Sequence, residues 1–230
     1  MRFDLPGGVA AGIVEEVLAG EYESGCDGTC LRVLDIGANV GAFSIWAVHR
    51  WPGSYVEAIE ANPATFGILE ANVRRYPMIR CRHGAVFPSD APEVELFFRG
   101  IGDGQAGVKA TLERTFTVET FDSGSRRMVP VLHPANLPPA DIVKIDVEGA
   151  EADIVAHADF SATSLLLLEF QHGRTLTRVK ERLAAKFDLI LEKIEPWARI
   201  LATDSYRASL GGDHYGLAYF LRHGRRRLSR

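Results

Sequence analysis

The sequence predicts an α/β fold, a doubly wound and mostly parallel sheet, and three observations predict it. The stretch Leu31-Arg-Val-Leu-Asp35-Ile-Gly37-Ala-Asn39-Val-Gly41-Ala-Phe-Ser44 reads as an apolar strand, a tight glycine turn and the start of a helix, which is how such sheets open their cofactor sites. Strand-like and helix-like runs then alternate along the chain. Two of the strands, one ending at Glu60 and one at Asp146, terminate on acids.

The 230 residues, 47% hydrophobic and 24% charged, suit one large domain over 31–230 behind an N-terminal helical extension over 1–30. A net charge of −4 gives no pull toward nucleic acid or an anionic membrane. The three cysteines, Cys26, Cys30 and Cys81, fall short of a four-ligand zinc site and read as free thiols in a reducing compartment. No apolar run reaches the ~18–20 residues that span a bilayer. The N-terminus lacks the basic flank and small-residue cleavage site of a signal peptide. The expectation is a cytoplasmic enzyme with no membrane or nucleic-acid partner. The basic tail after His223 reads as a solvated end.

In order, residues 9–18 place Ala10, Ile13, Val14, Val17 and Leu18 on one face of a short amphipathic helix, set to pack on the domain or cover its cleft. After the opening strand, a helix over 42–50 stops at Pro52-Gly53, and Tyr55–Glu60 forms the second strand. Asn62-Pro63 starts a helix, with Asn as cap and Pro in the first turn, running to about residue 76. A third strand covers 79–87, and strand-like pieces cover 94–98 and 115–121. Between those pieces Gly100-Ile-Gly-Asp-Gly-Gln-Ala-Gly107 is a loop able to wrap a ligand. Residues 122–140 carry several prolines and read as loop with one helical turn. A strand over 140–146 leads into a helix over 150–156. A fifth strand covers 164–170, a helix 175–187, and a closing strand pair 189–194 and 217–221.

The turn narrows the cofactor. Dinucleotide sites want Gly-x-Gly-x-x-Gly; here Asn39 stands between Gly37 and Gly41, so a nicotinamide cofactor is disfavoured. Asp35 lies just before the turn, where it would repel a pyrophosphate and favour a cation. S-adenosylmethionine, with a sulfonium, an ammonium and no phosphate, fits. Glu60, ending the second strand, can accept both ribose hydroxyls. The cofactor set is Asp35, Gly37, Asn39, Gly41, Glu60, Asn62 and Ala85, the last as an adenine neighbour.

Val33-Leu-Asp35-Ile-Gly37-Ala-Asn39-Val-Gly41, Glu60-Ala-Asn62-Pro63 and Asp141-Ile-Val-Lys144-Ile-Asp146-Val-Glu148-Gly149-Ala-Glu151 together resemble the FkbM-type S-adenosylmethionine-dependent methyltransferases. The third block is the most distinctive. The resemblance covers about residues 31–172, including Val118-Glu-Thr-Phe-Asp122. It implies the three-layer Rossmann-like class I methyltransferase fold, a mostly parallel seven-stranded sheet with an antiparallel last strand. It also implies O-methylation of a small molecule or sugar. The Gly100–Gly107 loop, with Asp103 and Gln105, departs from the family's serine-bearing segment, and residues 123–139 are longer and richer in proline.

Methyl transfer asks an enzyme chiefly for alignment, plus a base where the acceptor is an alcohol. Candidates beyond the carboxyl ends of the strands are Asp146, Glu148 and His172, with Asp122 behind them. Asp146, Glu148 and His172 could also hold a divalent cation, although no metal is assigned. Lys144, inside an apolar strand, is expected to pair with a carboxylate. His133 and His214 lie in loops near the acceptor side. The partner is a small-molecule or glycan acceptor; RNA or protein methylation and a non-catalytic nucleotide-binding module are the alternatives.

Overall fold

The computed structural model describes residues 3–5, 8–98, 100–102, 106–108, 124–196 and 214–224. The strands are β1 Arg32–Ile36, β2 Tyr55–Glu60, β3 Ile79–His83, β4 Ala85–Val86, β5 Glu93–Phe98, β6 Gly107–Val108, β7 Ser125–Leu132, β8 Ile142–Ile145, β9 Leu165–Phe170, β10 Phe187–Pro196 and β11 His214–Arg222. The helices are α1 Gly8–Leu18, α2 Ala42–Arg50, α3 Pro63–Val73, α4 Glu151–His157 and α5 Gly173–Leu183, with a 3-10 turn at Pro134–Asn136.

Seven strands form one sheet in the order β10-β11-β9-β8-β1-β2-β3. β1, β2, β3, β8 and β9 pair in parallel, while β11, the last strand in the chain, is antiparallel to both β9 and β10. The expected sheet is therefore present. Because strand side chains alternate, Val33, Val56, Ile142 and Leu165 pack on one face with α1, α2 and α3. Leu34, Val143 and Leu166 pack on the other with α4 and α5. These are the three layers. Each such side chain withdrawn from water contributes on the order of 1.5–3 kcal/mol. No helix among the described residues is long and apolar enough to cross a membrane.

The register positions the site. Ile36 stands beside Ile59 on one side and Ile145 on the other, and Ile145 beside Leu168. The next residue of each strand, Gly37, Glu60, Asp146 and Glu169, therefore falls in one row at the carboxyl edge. One step back, Asp35 is registered against Lys144.

Several boundaries differ from the sequence expectation. The third strand does not run through to residue 87. It breaks at Gly84, where φ is +149° and a Cβ would lie 2.9 Å from the Pro130 carbonyl oxygen. Ala85–Val86 then joins a second sheet, β4-β7-β5-β6. Residues 125–132, expected as loop, are strand β7. Within 125–130 only Val129 is buried, so the alternation that marks a half-buried strand is nearly absent from the sequence. Phe187, expected at a helix end, begins β10 and lies buried beside the Arg222 guanidinium, 4.8 Å from its ring centroid. In α1, Ala10, Val14 and Val17 are buried but Leu18 is 46% exposed. The expected strand over 115–121, the Val118–Asp122 stretch, Asp103, Gln105 and the tail from residue 225 lie outside the described residues.

The segment before β1 joins the core of the sheet through Phe3, Ala10, Val14, Val17 and Tyr22. Tyr22 is buried edge-on to Phe43, 5.0 Å between ring centroids. The Tyr219 hydroxyl donates to the Glu21 carbonyl, joining this segment to β11.

Candidate active site

Beyond the carboxyl ends of β1, β2, β8 and β9 lies a cleft lined by Gly37, Asn39, Glu60, Asp146 and Glu169, and walled on one side by Ile13, Glu16, Val17, Glu21 and Tyr22. Ala85, Leu96 and Val108 add apolar lining.

The glycine turn spends its own amides. The N–H groups of Gly37 and Ala38 both donate to the Ile59 carbonyl, at 3.0 and 2.9 Å, and that of Gly41 donates to the Ala38 carbonyl. The Asn39 N–H donates to Glu60 Oε2 at 2.8 Å. The turn thus offers none of these donors to a phosphate, unlike a helix N-terminus built to bind one. What it offers is a carboxylate: Glu60 Oε1 accepts from the Asn62 N–H at 2.8 Å, so each oxygen is fixed by one amide and keeps a further lone pair for a vicinal diol. Asn62 caps α3, its Oδ1 accepting from Ala64 N–H at 3.1 Å. Asn39 Oδ1 is buried with no hydrogen-bond partner and Asn39 lines the cleft, which leaves an acceptor for a ligand donor. Burial pushes the Glu60 carboxyl up to about 7, against the pull of the Asn62 and Asn39 amides.

Beneath the turn, Lys144 ties the ends of β1 and β8 together. Its Nζ donates to the Gly37 carbonyl at 2.6 Å and lies 3.1 Å from Asp146 Oδ2 and 3.4 Å from Asp35 Oδ1. The rings of Tyr22 and Phe43 are each 5.9 Å from the ammonium, a cation–π distance. Ser44 Oγ donates to Asp35 Oδ2 at 2.6 Å. Burial works against the Lys144 charge, but Asp146 and Asp35 outweigh it and hold the ammonium above its ordinary range. Burial acts on Asp35 in the opposite sense to its partners and raises it. The expected pairing of Lys144 with a carboxylate is met twice.

Carboxylates dominate the rest of the cleft. Asp146, Glu148 and Glu169 each bring an oxygen within 4.8 Å of the other two. Glu148 has φ +56°, a left-handed conformation that a residue with a side chain adopts at some cost, and it is buried in the turn before α4. Burial, then Asp146 and Glu21, raise Glu169 well above the carboxylate range. Burial, then Glu16 and Asp146, raise Glu21 to about 7.

Glu151 is fully buried beside this row. Its Oε1 accepts from the Gly149 N–H at 2.8 Å, and its Oε2 is buried with no hydrogen-bond partner. Burial lifts its carboxyl from 4.5 to about 7. A folded-state value above the unfolded one means stability that is complete below about pH 4.5 and lost as pH rises toward 7. Glu151→Gln, which keeps the acceptor and removes the charge, is expected to be more stable than the parent at pH 8, by on the order of 3 kcal/mol at most. The gain should vanish below pH 5 in urea melts; an equal gain at both pH values would show that ionisation is not its source.

A family description, Methyltransferase FkbM domain, matches residues 35–195, more than two thirds of the 230. The chain belongs to the FkbM methyltransferase domain family. S-adenosylmethionine is accordingly its cofactor, and the spent turn amides, the diol-ready Glu60 and the acidic lining fit that cation. The AMB antimetabolite synthetase AmbE of Pseudomonas aeruginosa is 28% identical over 165 residues, 56% of this chain and 8% of its own. The cobalt-precorrin-6B C(15)-methyltransferase (decarboxylating) of Salmonella typhimurium is 37% identical over 61 residues, 26% of this chain and 30% of its own. The chain thus spans under a third of either relative. Among solved structures, a dimethyladenosine transferase from Plasmodium falciparum has a TM-score of 0.53 at 8% identity, covering 96% of this chain and 63% of that one. Trm5b from Pyrococcus abyssi has 0.50 at 13% identity, over 95% and 50%. At such identities the likeness is one of fold.

Of the residues singled out in the FkbM-family sequence, Gly37, Asn39, Glu60, Ala85, Asp146 and Glu148 line the cleft. Asp35, Gly41 and Asn62 stand behind it: Asp35 holds Lys144, Gly41 has φ +89° at the start of α2, and Asn62 holds Glu60. His172 does not join Asp146 and Glu148. It is buried at the start of α5, outside the cleft lining, and its carbonyl accepts from the Thr175 N–H. The third acid beside Asp146 and Glu148 is Glu169. His133 caps the 3-10 turn, its Nδ1 accepting from Ala135 N–H at 3.2 Å, and the His214 side chain is outside the described residues. Sequence reasoning missed Glu169 and Glu21. Glu169 sits in Leu165-Leu-Leu-Leu-Glu-Phe170, where one acid in an apolar strand is a signal of the kind that marked Lys144. Glu21 follows the amphipathic helix expected to pack on the domain or cover its cleft, but no local pattern singles out Glu21 itself.

Proposed function

We propose that the chain transfers the methyl group of S-adenosylmethionine to a hydroxyl of a small molecule, sugar or natural product. The observation that carries this reading is the carboxylates Asp146 and Glu169, in one row with Gly37 and Glu60, which line the cleft together with Glu21. The cofactor, when bound, supplies a methyl group already activated by its sulfonium. The protein has to hold the acceptor oxygen in line and take its proton.

Asp146 suits that task. Lys144 fixes one of its oxygens at 3.1 Å, orienting the carboxylate on a strand end that cannot move independently of the turn. Glu60 and Asn39 anchor the donor at the other end of the row. The acidic lining opposes a polyphosphate acceptor such as RNA, which supports a small-molecule or glycan acceptor and no nucleic-acid partner. The Pseudomonas relative is an antimetabolite synthetase, which supports an acceptor of natural-product type.

Calorimetry with S-adenosylmethionine, S-adenosylhomocysteine and NAD tests the donor, and mass spectrometry of products formed from hydroxyl compounds tests the acceptor. Binding of NAD but of neither adenosyl ligand would overturn the reading. Glu60→Ala is expected to weaken S-adenosylhomocysteine about 10- to 100-fold, since it removes charged hydrogen-bond acceptors. Asp146→Asn should leave that affinity within about threefold and lower kcat roughly 100- to 10,000-fold, the range ascribed to a positioned base. Full activity of Asp146→Asn on a true substrate would remove Asp146 from the catalytic role.

A further inference from the structure

The glycine-rich run from Gly100 to Gly107 is fastened to the start of α3, beside the carboxylate of Glu60. Asn62 Nδ2 donates to the Gly100 carbonyl at 3.0 Å. The Gly102 N–H donates to Thr65 Oγ1 at 2.9 Å, a buried bond. Gly102 is itself buried, with φ +69°, a left-handed conformation that suits glycine. Ile101, between the two bonds, is exposed. Asn62 and Thr65 are each 1% exposed, and neither lines the cleft. At the other end of the run, Ala106, Gly107 and Val108 do line it. They are held on β5 by the pairs Gly107–Phe97 and Val108–Leu96. Gly84, Ala85 and Val86 line the cleft as well, and the Gly84 N–H donates to the Glu60 carbonyl at 3.0 Å.

We propose that Thr65 is a positioning residue for the methyl donor: by holding the Gly102 N–H it seats the start of this run, so that Ala106 and Val108 pack against the nucleoside half of S-adenosylmethionine. The inference concerns the donor and is independent of which hydroxyl accepts the methyl group. Glu60 is the acceptor for the ribose diol, and Asn62, which fixes Glu60 Oε1, also fixes Gly100. The run therefore begins next to the ribose. Ala85, Leu96, Ala106 and Val108 bring apolar side chains to the cleft, a lining suited to the flat face of a base. Glycine loses more backbone freedom on being fixed than any other residue, so a run this rich in it needs outside bonds to hold one shape. Asn62 and Thr65 supply two. Asn62 also caps α3 and holds Glu60, whereas Thr65 reaches the run through the Gly102 amide. A buried amide that loses its acceptor costs more than the bond itself was worth. Removing the Thr65 hydroxyl should therefore turn Gly102 out to water and draw the run off the donor.

The test is calorimetry on the full chain with S-adenosylhomocysteine and with methylthioadenosine, which keeps the nucleoside and lacks the amino-acid end. Methylthioadenosine is read by its displacement of S-adenosylhomocysteine. Thr65→Val, close to isosteric, is expected to weaken both ligands by the same factor, at least about tenfold. Thr65→Ser keeps the acceptor and should stay within about threefold of the parent. Gly102→Pro removes the N–H from the other side of the same bond and should match the loss. The combined variant Thr65→Val/Gly102→Pro should lose no more than the larger single loss, because both changes delete one interaction. Thermal melts establish that each variant is folded at the titration temperature, where lower stability alone leaves the affinity of a folded chain unchanged. A smaller loss in Thr65→Val, or in Gly102→Pro where Thr65→Val does not fold, would overturn the proposal. So would an equal loss in Thr65→Ser, which would make shape and not the hydrogen bond responsible. Losses that add in the combined variant, a loss confined to S-adenosylhomocysteine, or no displacement by methylthioadenosine from the parent would overturn it as well.

Discussion

Gly37→Ala is expected to abolish donor binding, with S-adenosylhomocysteine affinity falling 100-fold or more in calorimetry. Gly37 has φ +79°, and a Cβ there would lie 1.7 Å from the Asp146 carbonyl oxygen and 2.9 Å from its carbon. The left-handed conformation alone costs an alanine roughly 1–2 kcal/mol. The clash is with backbone, so no side-chain rotation relieves it, and β1 and β8 would have to part at their carboxyl ends. That movement takes the Gly37 carbonyl from Lys144 and the Gly37 N–H from the Ile59 carbonyl. The row that aligns Gly37, Glu60, Asp146 and Glu169 is then lost as a unit. The melting temperature should fall by about 10 °C, a few kcal/mol for a chain of this size. An alanine variant that binds within threefold of the parent would show that the turn is not the donor's cradle.

Lys144→Met should be the most destabilising single change in the strand core, by about 3–5 kcal/mol in denaturant unfolding, the cost of leaving a buried charge without its partner. Asp35 is 0% exposed. Without the ammonium it keeps the Ser44 hydroxyl and little else, while Asp146 loses the contact that orients it. The double variant Lys144→Met/Asp35→Asn should regain a large part of the loss, because it removes the orphaned charge. If the double variant is as unstable as the single one, packing and not charge accounts for the effect. Lys144→Arg is not a mild substitute, because a planar guanidinium cannot occupy the site of a compact ammonium enclosed by Tyr22, Phe43 and the Gly37 carbonyl. Donor binding should fall together with stability, since Lys144 supports the turn through that carbonyl.

The sequence was most informative where local chemistry and tertiary demand coincide. Gly37 and Gly41 mark a turn because their φ values of +79° and +89° are ones that other residues resist. Asn62-Pro63 marks a helix start for reasons contained in those two residues, and the cap hydrogen bond is present. Lys144 amid apolar neighbours implied a carboxylate partner because an uncompensated buried charge is too costly to keep. Legibility failed where a segment's environment, and not its composition, chooses its form. Ser125–Leu132 is a strand because β5 and β4 pair with it, although it buries too little to show a period. His172 has the chemistry of a base, yet its place at the start of α5 keeps it out of the cleft.

By itself the sequence determined the fold class, the glycine turn, the acids that flank it and hence a cationic donor, because each follows from local sterics or charge. Only the tertiary structure decided which acids meet. The strand register sets Glu60, Asp146 and Glu169 in one row with Gly37, and the packing of the segment before β1 brings Glu21 into the same cleft. Register and helix placement arise from contacts between residues far apart in the chain, which no single stretch of sequence contains.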